Sequence, residues 1–270
     1  LWFHQPARPA AGAAFWHRLF GLDRASASLM QKDIRTFLRE PVQWGQCAMI
    51  FGLLFFYASN LRRLGYDLEN PFWIHLISYL NLVVCALALS TLTTRFIFPQ
   101  FSMEGRRMWI LGLSPVPLHR LLELKLRLSA GIIALLTTAL VVISSTSLSL
   151  PPQRTLFFAA AIILLSYGLT ALALSIGALI PNFREPNPAR IVSGFGGTLC
   201  LISSFLYILL SIVVLVLPTW WRFRTHTMPP INIAPNPLPD LLALLGVFGL
   251  TVLFGVLPFT IAKKDRKSVV

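Results

Sequence analysis

Six apolar segments of this chain are each long enough to cross a lipid bilayer, which takes about 20 helical residues. In lipid such segments form helices, because every backbone polar group needs a partner within its own segment. Their approximate bounds are 42–60, 72–94, 126–150, 156–180, 191–217 and 238–262. The sequence therefore predicts an all-α, polytopic membrane protein with six transmembrane helices.

The composition excludes the main alternative classes of protein. Of the 270 residues, 56% are hydrophobic and 12% are charged, whereas a soluble domain carries about 25% charged residues. Intrinsic disorder requires the opposite balance, with low hydrophobicity and high charge. The 3 cysteines are an odd number and form no Cys-x-x-Cys pair, which excludes a disulfide scaffold.

The 23 Lys and Arg residues flank the apolar segments unevenly. If the N-terminus is cytoplasmic, only five of them lie outside and the other 18 lie inside. The positive-inside rule then places both ends of the chain in the cytoplasm. The five outer residues are Arg62, Arg63, Arg154, Arg222 and Arg224, of which we expect the last two to be solvated. No basic stripe with interleaved aromatic residues forms a separate domain, so nucleic acid is not an expected partner.

A short amphipathic helix is predicted at 28–40, before the first span. Its apolar residues share one face at helical spacing, and Lys32, Arg35 and Arg39 fall on the opposite face. Pro41 ends this helix, because the residue before a proline disfavours the helical conformation. A helix with a basic face lies in the membrane interface. It serves either as an anchor alone or also as a contact for a cytoplasmic partner.

The longest inner loop, 95–125, separates the second and third spans. It contains a short apolar piece at 108–113 that includes Trp109. Ser114 and Pro115 then form a helix start, with serine as N-cap and proline at the first helical position. An apolar helix that is exposed to the cytosol indicates a docking surface. The alternative is that this piece folds back onto the membrane interface.

The sequence contains no recognised catalytic or metal-binding motif. It has no His-Glu-x-x-His, no nucleophile elbow and no phosphate-binding loop of the form Gly-x4-Gly-Lys-Ser/Thr. No Asp or Glu lies at mid-depth in a predicted span, which disfavours an ion-coupled carrier. The glycine-rich stretch 193–198 opens an apolar span and favours close helix packing. We therefore expect no catalysis, no metal and no cofactor in this chain.

Two stretches of the sequence resemble known membrane proteins. The loop after the second span is similar to that of the type-2 permease superfamily of ABC transporters. The matching positions are Glu104, Gly105, Leu111, Ser114, Pro115, Val116, Leu121, Leu122 and Lys125. More narrowly, residues 94–109 and 181–201 resemble a group of bacterial ABC exporters that are longer than this chain. The present chain looks like the C-terminal half of those proteins.

The resemblance implies a permease subunit of an ATP-driven ABC exporter, in a bacterial-type inner membrane. ATP and Mg would then be held by a separate P-loop ATPase subunit, and the chain would be no enzyme itself. A second six-span half, in the same polypeptide or another, and the lipid bilayer would be the other partners.

The resemblance also implies which residues of this chain contact the ATPase. The implied coupling loop consists of Glu104, Gly105, Arg106, Arg107, Trp109, Leu111, Leu113, Ser114 and Pro115. A second cytoplasmic contact is implied at Arg184 and Glu185, in a stiff turn with three prolines at 181–190.

The chain divides into three parts on this interpretation. They are an N-terminal segment or linker at 1–27, a six-span permease-type domain at 28–264 and a cytoplasmic tail at 265–270. Two other functions stay open. One is a non-transport assembly or regulatory subunit that docks a cytoplasmic partner. The other is a membrane-embedded enzyme or carrier whose ionisable groups come from another half.

Overall fold

The computed structural model shows a chain whose regular structure is helical throughout the residues it describes. These residues are 31, 32, 34, 35, 38, 39, 41–60, 71–105, 118–148, 150–185, 187–224 and 237–268. The α-helices are α1 (Pro41–Asn60), α2 (Pro71–Leu92), α3 (Gln100–Glu104), α4 (Leu118–Ser147), α5 (Pro152–Leu179), α6 (Pro188–Val192), α7 (Phe195–Arg224), α8 (Pro237–Thr251) and α9 (Leu257–Ser268). Within this part of the chain, the prediction of an all-α fold is confirmed.

Five helical segments of the described residues are long and apolar enough to cross a membrane. They are His75–Glu104, His119–Ser147, Pro152–Leu179, Phe195–Arg222 and Leu238–Lys264. These five lie where the second to sixth spans are predicted, and they are consistent with a membrane protein. The predicted first span, 42–60, is helical as α1 but is not among the five.

Two of these segments contain a π-helical turn, which the sequence analysis does not predict. The turn Thr93–Ile97 joins α2 to α3, and Val252–Val256 joins α8 to α9. Each is followed by one residue and then a proline, Pro99 and Pro258. A proline inside a helix clashes with the carbonyl four residues before it, and here that carbonyl lies in the π turn. The wider turn lets both helices continue past their proline.

Helix α5 is the centre of the bundle. It packs against α2, α4, α7, α8 and α9. In the most apolar 18-residue stretch of α5, 67% is buried, compared with 22% in that of the segment formed by α8 and α9. Leu165, Leu169 and Ala173 on this helix have no exposed surface. The more exposed helices therefore leave many apolar side chains on the surface of the bundle.

The two ends of the bundle are called the Glu104 end and the Arg222 end. The Glu104 end holds the start of α4 and the ends of α3 and α5. The Arg222 end holds the end of α4, the start of α5 and the end of α7. Consecutive long helices therefore run antiparallel, joined by short connections such as 148–151.

Helix α7 continues past Pro218, although the predicted span ends at residue 217. The helix ends at Arg224. The Tyr79 hydroxyl donates a hydrogen bond of 3.0 Å to the carbonyl oxygen of Leu215, in the turn before the proline.

Candidate functional site

The Glu104 carboxylate is the centre of an ion cluster at the end of α3. Its Oε1 atom lies 3.0 Å from the Lys32 Nζ and 3.2 Å from the Lys125 Nζ. Lys125, on α4, is only 6% exposed, whereas Lys32 is 47% exposed. The cluster joins a residue of the predicted interfacial helix to the first residue of the predicted coupling loop.

Buried aromatic residues fix the position of α3. Phe98 and Phe101 are 1% and 0% exposed and belong to the core at this end. The Ser102 hydroxyl accepts a hydrogen bond of 3.1 Å from the backbone N–H of Asn182. Helix α3 is thereby attached to the chain that follows α5.

The two predicted cytoplasmic contacts are neighbours in the structure. A Cβ atom at Gly105 would lie 1.9 Å from the Cδ1 atom of Phe183, so the glycine leaves the space that the Phe183 ring occupies. The same ring packs on Phe101, with centroids 6.4 Å apart. Arg184, the next residue, is exposed, and Glu185 is half-buried.

The other predicted site residues are described only in part. Lys32, Arg35 and Arg39 are helical and exposed. The remaining residues of the predicted coupling loop lie outside the described residues: Arg106, Arg107, Trp109, Leu111, Leu113, Ser114 and Pro115. Their contact with a partner stays a prediction.

Two ion pairs that the sequence analysis does not predict bind the helices to one another. Lys263 on α9 donates a hydrogen bond to Glu123 on α4, at the Glu104 end. At the opposite end the Arg222 Nη1 lies 3.2 Å from the Asp240 Oδ1. Arg222 is 8% exposed, so the expectation that it is solvated is wrong. The two members of each pair are far apart along the chain, so no local sequence spacing predicts either pair.

At the Glu104 end, the Glu104 carboxylate is held between the ammonium groups of Lys32 and Lys125, and charge-assisted contacts of this kind are stronger than neutral ones. In the described ranges, no three His, Cys, Asp or Glu side chains converge to hold a metal ion.

Comparison with known proteins gives one match. A family model with the description "Putative ATP-binding cassette" matches residues 6–269. No curated protein and no solved structure matches this chain.

This family description corrects several expectations from the sequence. It names an ATP-binding cassette family and not a permease family, so the assignment to the type-2 permeases is wrong. The predicted function as an exporter permease is therefore wrong as well. The description also contradicts two further predictions, namely that the chain is not an enzyme and that it holds no cofactor. An ATP-binding cassette family associates ATP and its Mg with this chain itself.

The glycine-rich stretch before α7 does not fit a phosphate-binding loop for ATP. Such a loop presents free backbone N–H groups of glycines to the phosphates. In the glycine-rich stretch before α7, the N–H groups of Gly194 and Gly197 already donate to the carbonyls of Ile191 and Gly194. A Cβ atom at Gly197 would lie 1.8 Å from the Val192 carbonyl oxygen, so this glycine permits a tight turn.

The family match extends over nearly the whole chain, from residue 6 to residue 269. It includes every described helix and both ends of the bundle. The chain therefore belongs to the family described as "Putative ATP-binding cassette".

Proposed function

We propose that this chain is the membrane-embedded helical component of an ATP-binding cassette system. The family match and the five apolar helices support this role. Helix α1 is proposed as a sixth span, and the membrane as the bacterial cytoplasmic membrane. The second six-span half stays a prediction.

We propose that the Glu104 end faces the cytoplasm, because its basic residues outnumber those at the Arg222 end. The described basic residues at the Glu104 end are Lys32, Arg35, Arg39, Arg95, Arg120, Lys125, Arg127, Arg184, Arg190, Lys263, Lys264, Arg266 and Lys267. Those at the opposite end are Arg154, Arg222 and Arg224.

The Glu104 end is proposed as the surface on which a P-loop ATPase partner docks. The observation that carries this proposal is the ion pair of Glu104 with Lys125. The pair ties the end of α3 to α4, on the two sides of segment 106–117. A partner bound to that segment therefore pulls on both helices together.

A second observation at Glu104 supports docking. Its Oε2 atom is buried and has no hydrogen-bond partner among the described residues. A buried carboxylate oxygen without a donor is costly, and a donor from segment 106–117 or from the partner would satisfy it. Phe183 against Gly105 brings Arg184 and Glu185 to the same surface.

Photocrosslinking in native membranes tests the docking surface. A photoreactive amino acid replaces Trp109 in one sample and Trp220 in the control; Trp220 is an exposed tryptophan at the opposite end. We expect an adduct with a P-loop ATPase from position 109 and none from position 220. An adduct from position 220 alone, or from neither, would contradict the proposal.

Photoreactive ATP, added to the same preparation, shows which polypeptide holds the nucleotide. Label on this chain would agree with the family description in its literal sense. The docking proposal depends only on the crosslinked partner, so the two results are independent.

A further inference from the structure

Five polar side chains from four helices meet at the Arg222 end. His75 and Tyr79 lie in the first turns of α2, Arg154 in the first turn of α5, Arg222 in the last turn of α7 and Asp240 in the first turn of α8. Arg154, Arg222 and Asp240 all act electrostatically on the His75 imidazole. The docking surface at the other end uses none of these residues.

The charges of this cluster do not balance. Asp240 pairs with Arg222, at 3.2 Å from Oδ1 and 3.3 Å from Oδ2 to the Nη1. Among the described groups that act on His75, Asp240 is the one carboxylate for two guanidinium groups. Within the described part of the chain, one positive charge of this cluster is therefore left over.

Arg154 carries the unbalanced charge in a buried position. The residue is 8% exposed, and its Nη1 atom is buried without a hydrogen-bond partner in the described structure. The positive charge of Arg154 also acts electrostatically on the Tyr79 hydroxyl. A buried charge without a counter-charge is strongly unfavourable.

A comparison with Arg224 shows that Arg154 is not merely an interfacial arginine extended toward water. Arg224 lies at the same end, is exposed, and its guanidinium carbon is 5.5 Å from the centroid of the Trp220 ring. An arginine that extends to the surface in this way stays hydrated. The Arg154 side chain instead turns its charge into the cluster.

The depth of the cluster indicates the source of an anion. Trp73, Trp220 and Trp221 lie at the same end and are 41%, 53% and 66% exposed. Exposed tryptophans of this kind sit at the level of the lipid headgroups. Lipid phosphates are therefore the anions nearest to this cluster.

We propose that Arg154 and Arg222 form a binding site for a phosphate group at this end of the bundle. Guanidinium groups bind phosphate oxygens through paired N–H donors, and the start of the long helix α5 adds a favourable dipole. The phosphodiester of an anionic lipid is the expected ligand, and a free phosphate-bearing solute has the same chemistry.

Thermal unfolding of the full-length protein in detergent tests the site. The probes are phosphatidylglycerol, zwitterionic phosphatidylcholine and inorganic phosphate, each against chloride at equal ionic strength. We expect phosphatidylglycerol to raise the melting temperature saturably by about 3 °C or more. Protection by phosphatidylglycerol alone identifies a lipid site, and equal protection by inorganic phosphate identifies a site for free anions.

Two variants separate this site from general charge attraction. Arg154→Gln is expected to lose the protection, and the exposed control Arg224→Gln is expected to keep it. Equal protection of Arg154→Gln and the unmodified protein would overturn the proposal, as would no protection of the unmodified protein by either anion.

A third variant covers the case in which Arg154→Gln fails to fold. Arg154→Lys keeps the positive charge, and native mass spectrometry then counts the phosphatidylglycerol molecules retained by this variant, by Arg224→Gln and by the unmodified protein. Because lysine lacks the paired donors, we expect at least a threefold weaker retention in Arg154→Lys alone. Unchanged retention in Arg154→Lys would overturn the proposal.

Discussion

The Nζ atom of Lys125 lies 3.2 Å from the Oε1 atom of Glu104, and the two side chains are only 6% and 16% exposed. Lys32 reaches the same oxygen at 3.0 Å but is 47% exposed. The Glu104 carboxylate therefore stabilises the charge of the buried Lys125 more than that of the exposed Lys32, because water can replace the carboxylate only around Lys32.

Glu104→Gln is expected to lower the free energy of unfolding by about 2 kcal/mol. This is less than the ~3–5 kcal/mol that follows the loss of one member of a fully buried pair, because Glu104 keeps some contact with water. Titration of the purified protein with a denaturing detergent measures the loss. The control Lys32→Gln removes only an exposed charge and is expected to cost less than about 1 kcal/mol. A loss of unfolding free energy that is larger for Lys32→Gln than for Glu104→Gln would contradict the stronger dependence of the buried lysine on Glu104.

Gly177→Ala is expected to destabilise the bundle by about 1–3 kcal/mol, as overpacking of a core does. A Cβ atom at Gly177 would lie 2.3 Å from the carbonyl oxygen of Phe98, and backbone cannot move aside as a flexible side chain can. The substitution therefore separates α5 from the π turn before α3. The same denaturation measurement applies.

The matched control for this glycine is Gly131→Ala on α4. No atom lies within 4 Å of a Cβ atom at Gly131, so the change is expected to be neutral or to stabilise by no more than about 1 kcal/mol through helix propensity. Equal losses for the two variants would mean that Gly177 does not mediate a close approach.

The helices could be predicted from the sequence because each apolar run specifies its own hydrogen bonding in lipid. The π turns could not, since they depend on where a proline falls relative to a packed neighbour. Pro218 shows the same limit: the predicted span ends at residue 217, but α7 continues past the proline to Arg224. Local chemistry gives the helix, and tertiary contacts decide where it ends.

The site could be predicted only where its residues are close in sequence. Glu104 and Gly105 are adjacent residues of the longest predicted inner loop, but their partners Lys32 and Phe183 come from distant segments. The ion pairs of Glu123 and of Asp240 have no sequence signal for the same reason. The coupling loop that the resemblance implied stays a prediction, and the family it suggested is corrected by the match.

Asp240→Asn is expected to destabilise the protein by about 2–4 kcal/mol, because it removes a largely buried counter-charge. The Asp240 side chain is 15% exposed and that of Arg222 is 9% exposed, so water cannot fully replace the carboxylate. Two guanidinium groups would then face each other at the Arg222 end. Denaturation in detergent without added anionic lipid measures this loss.

Glu185→Gln is the control for this carboxylate. Glu185 and Arg190 are 3.9 Å apart and their side chains are 37% and 74% exposed, so this pair is expected to contribute less than about 1 kcal/mol. If the two substitutions cost the same, burial does not strengthen the Asp240 pair.

The orientation of the bundle makes a prediction about two exposed arginines at opposite ends. Arg184→Cys and Arg224→Cys are placed singly in a protein without its three native cysteines, Cys47, Cys85 and Cys200. A maleimide that cannot cross the membrane is then added to intact spheroplasts and to permeabilised ones. We expect Arg224→Cys to react in both preparations and Arg184→Cys to react only after permeabilisation, because the more basic end of a membrane protein stays in the cytoplasm. The reverse pattern would place the Glu104 end outside, where no ATPase could reach it, and would exclude the proposed docking surface.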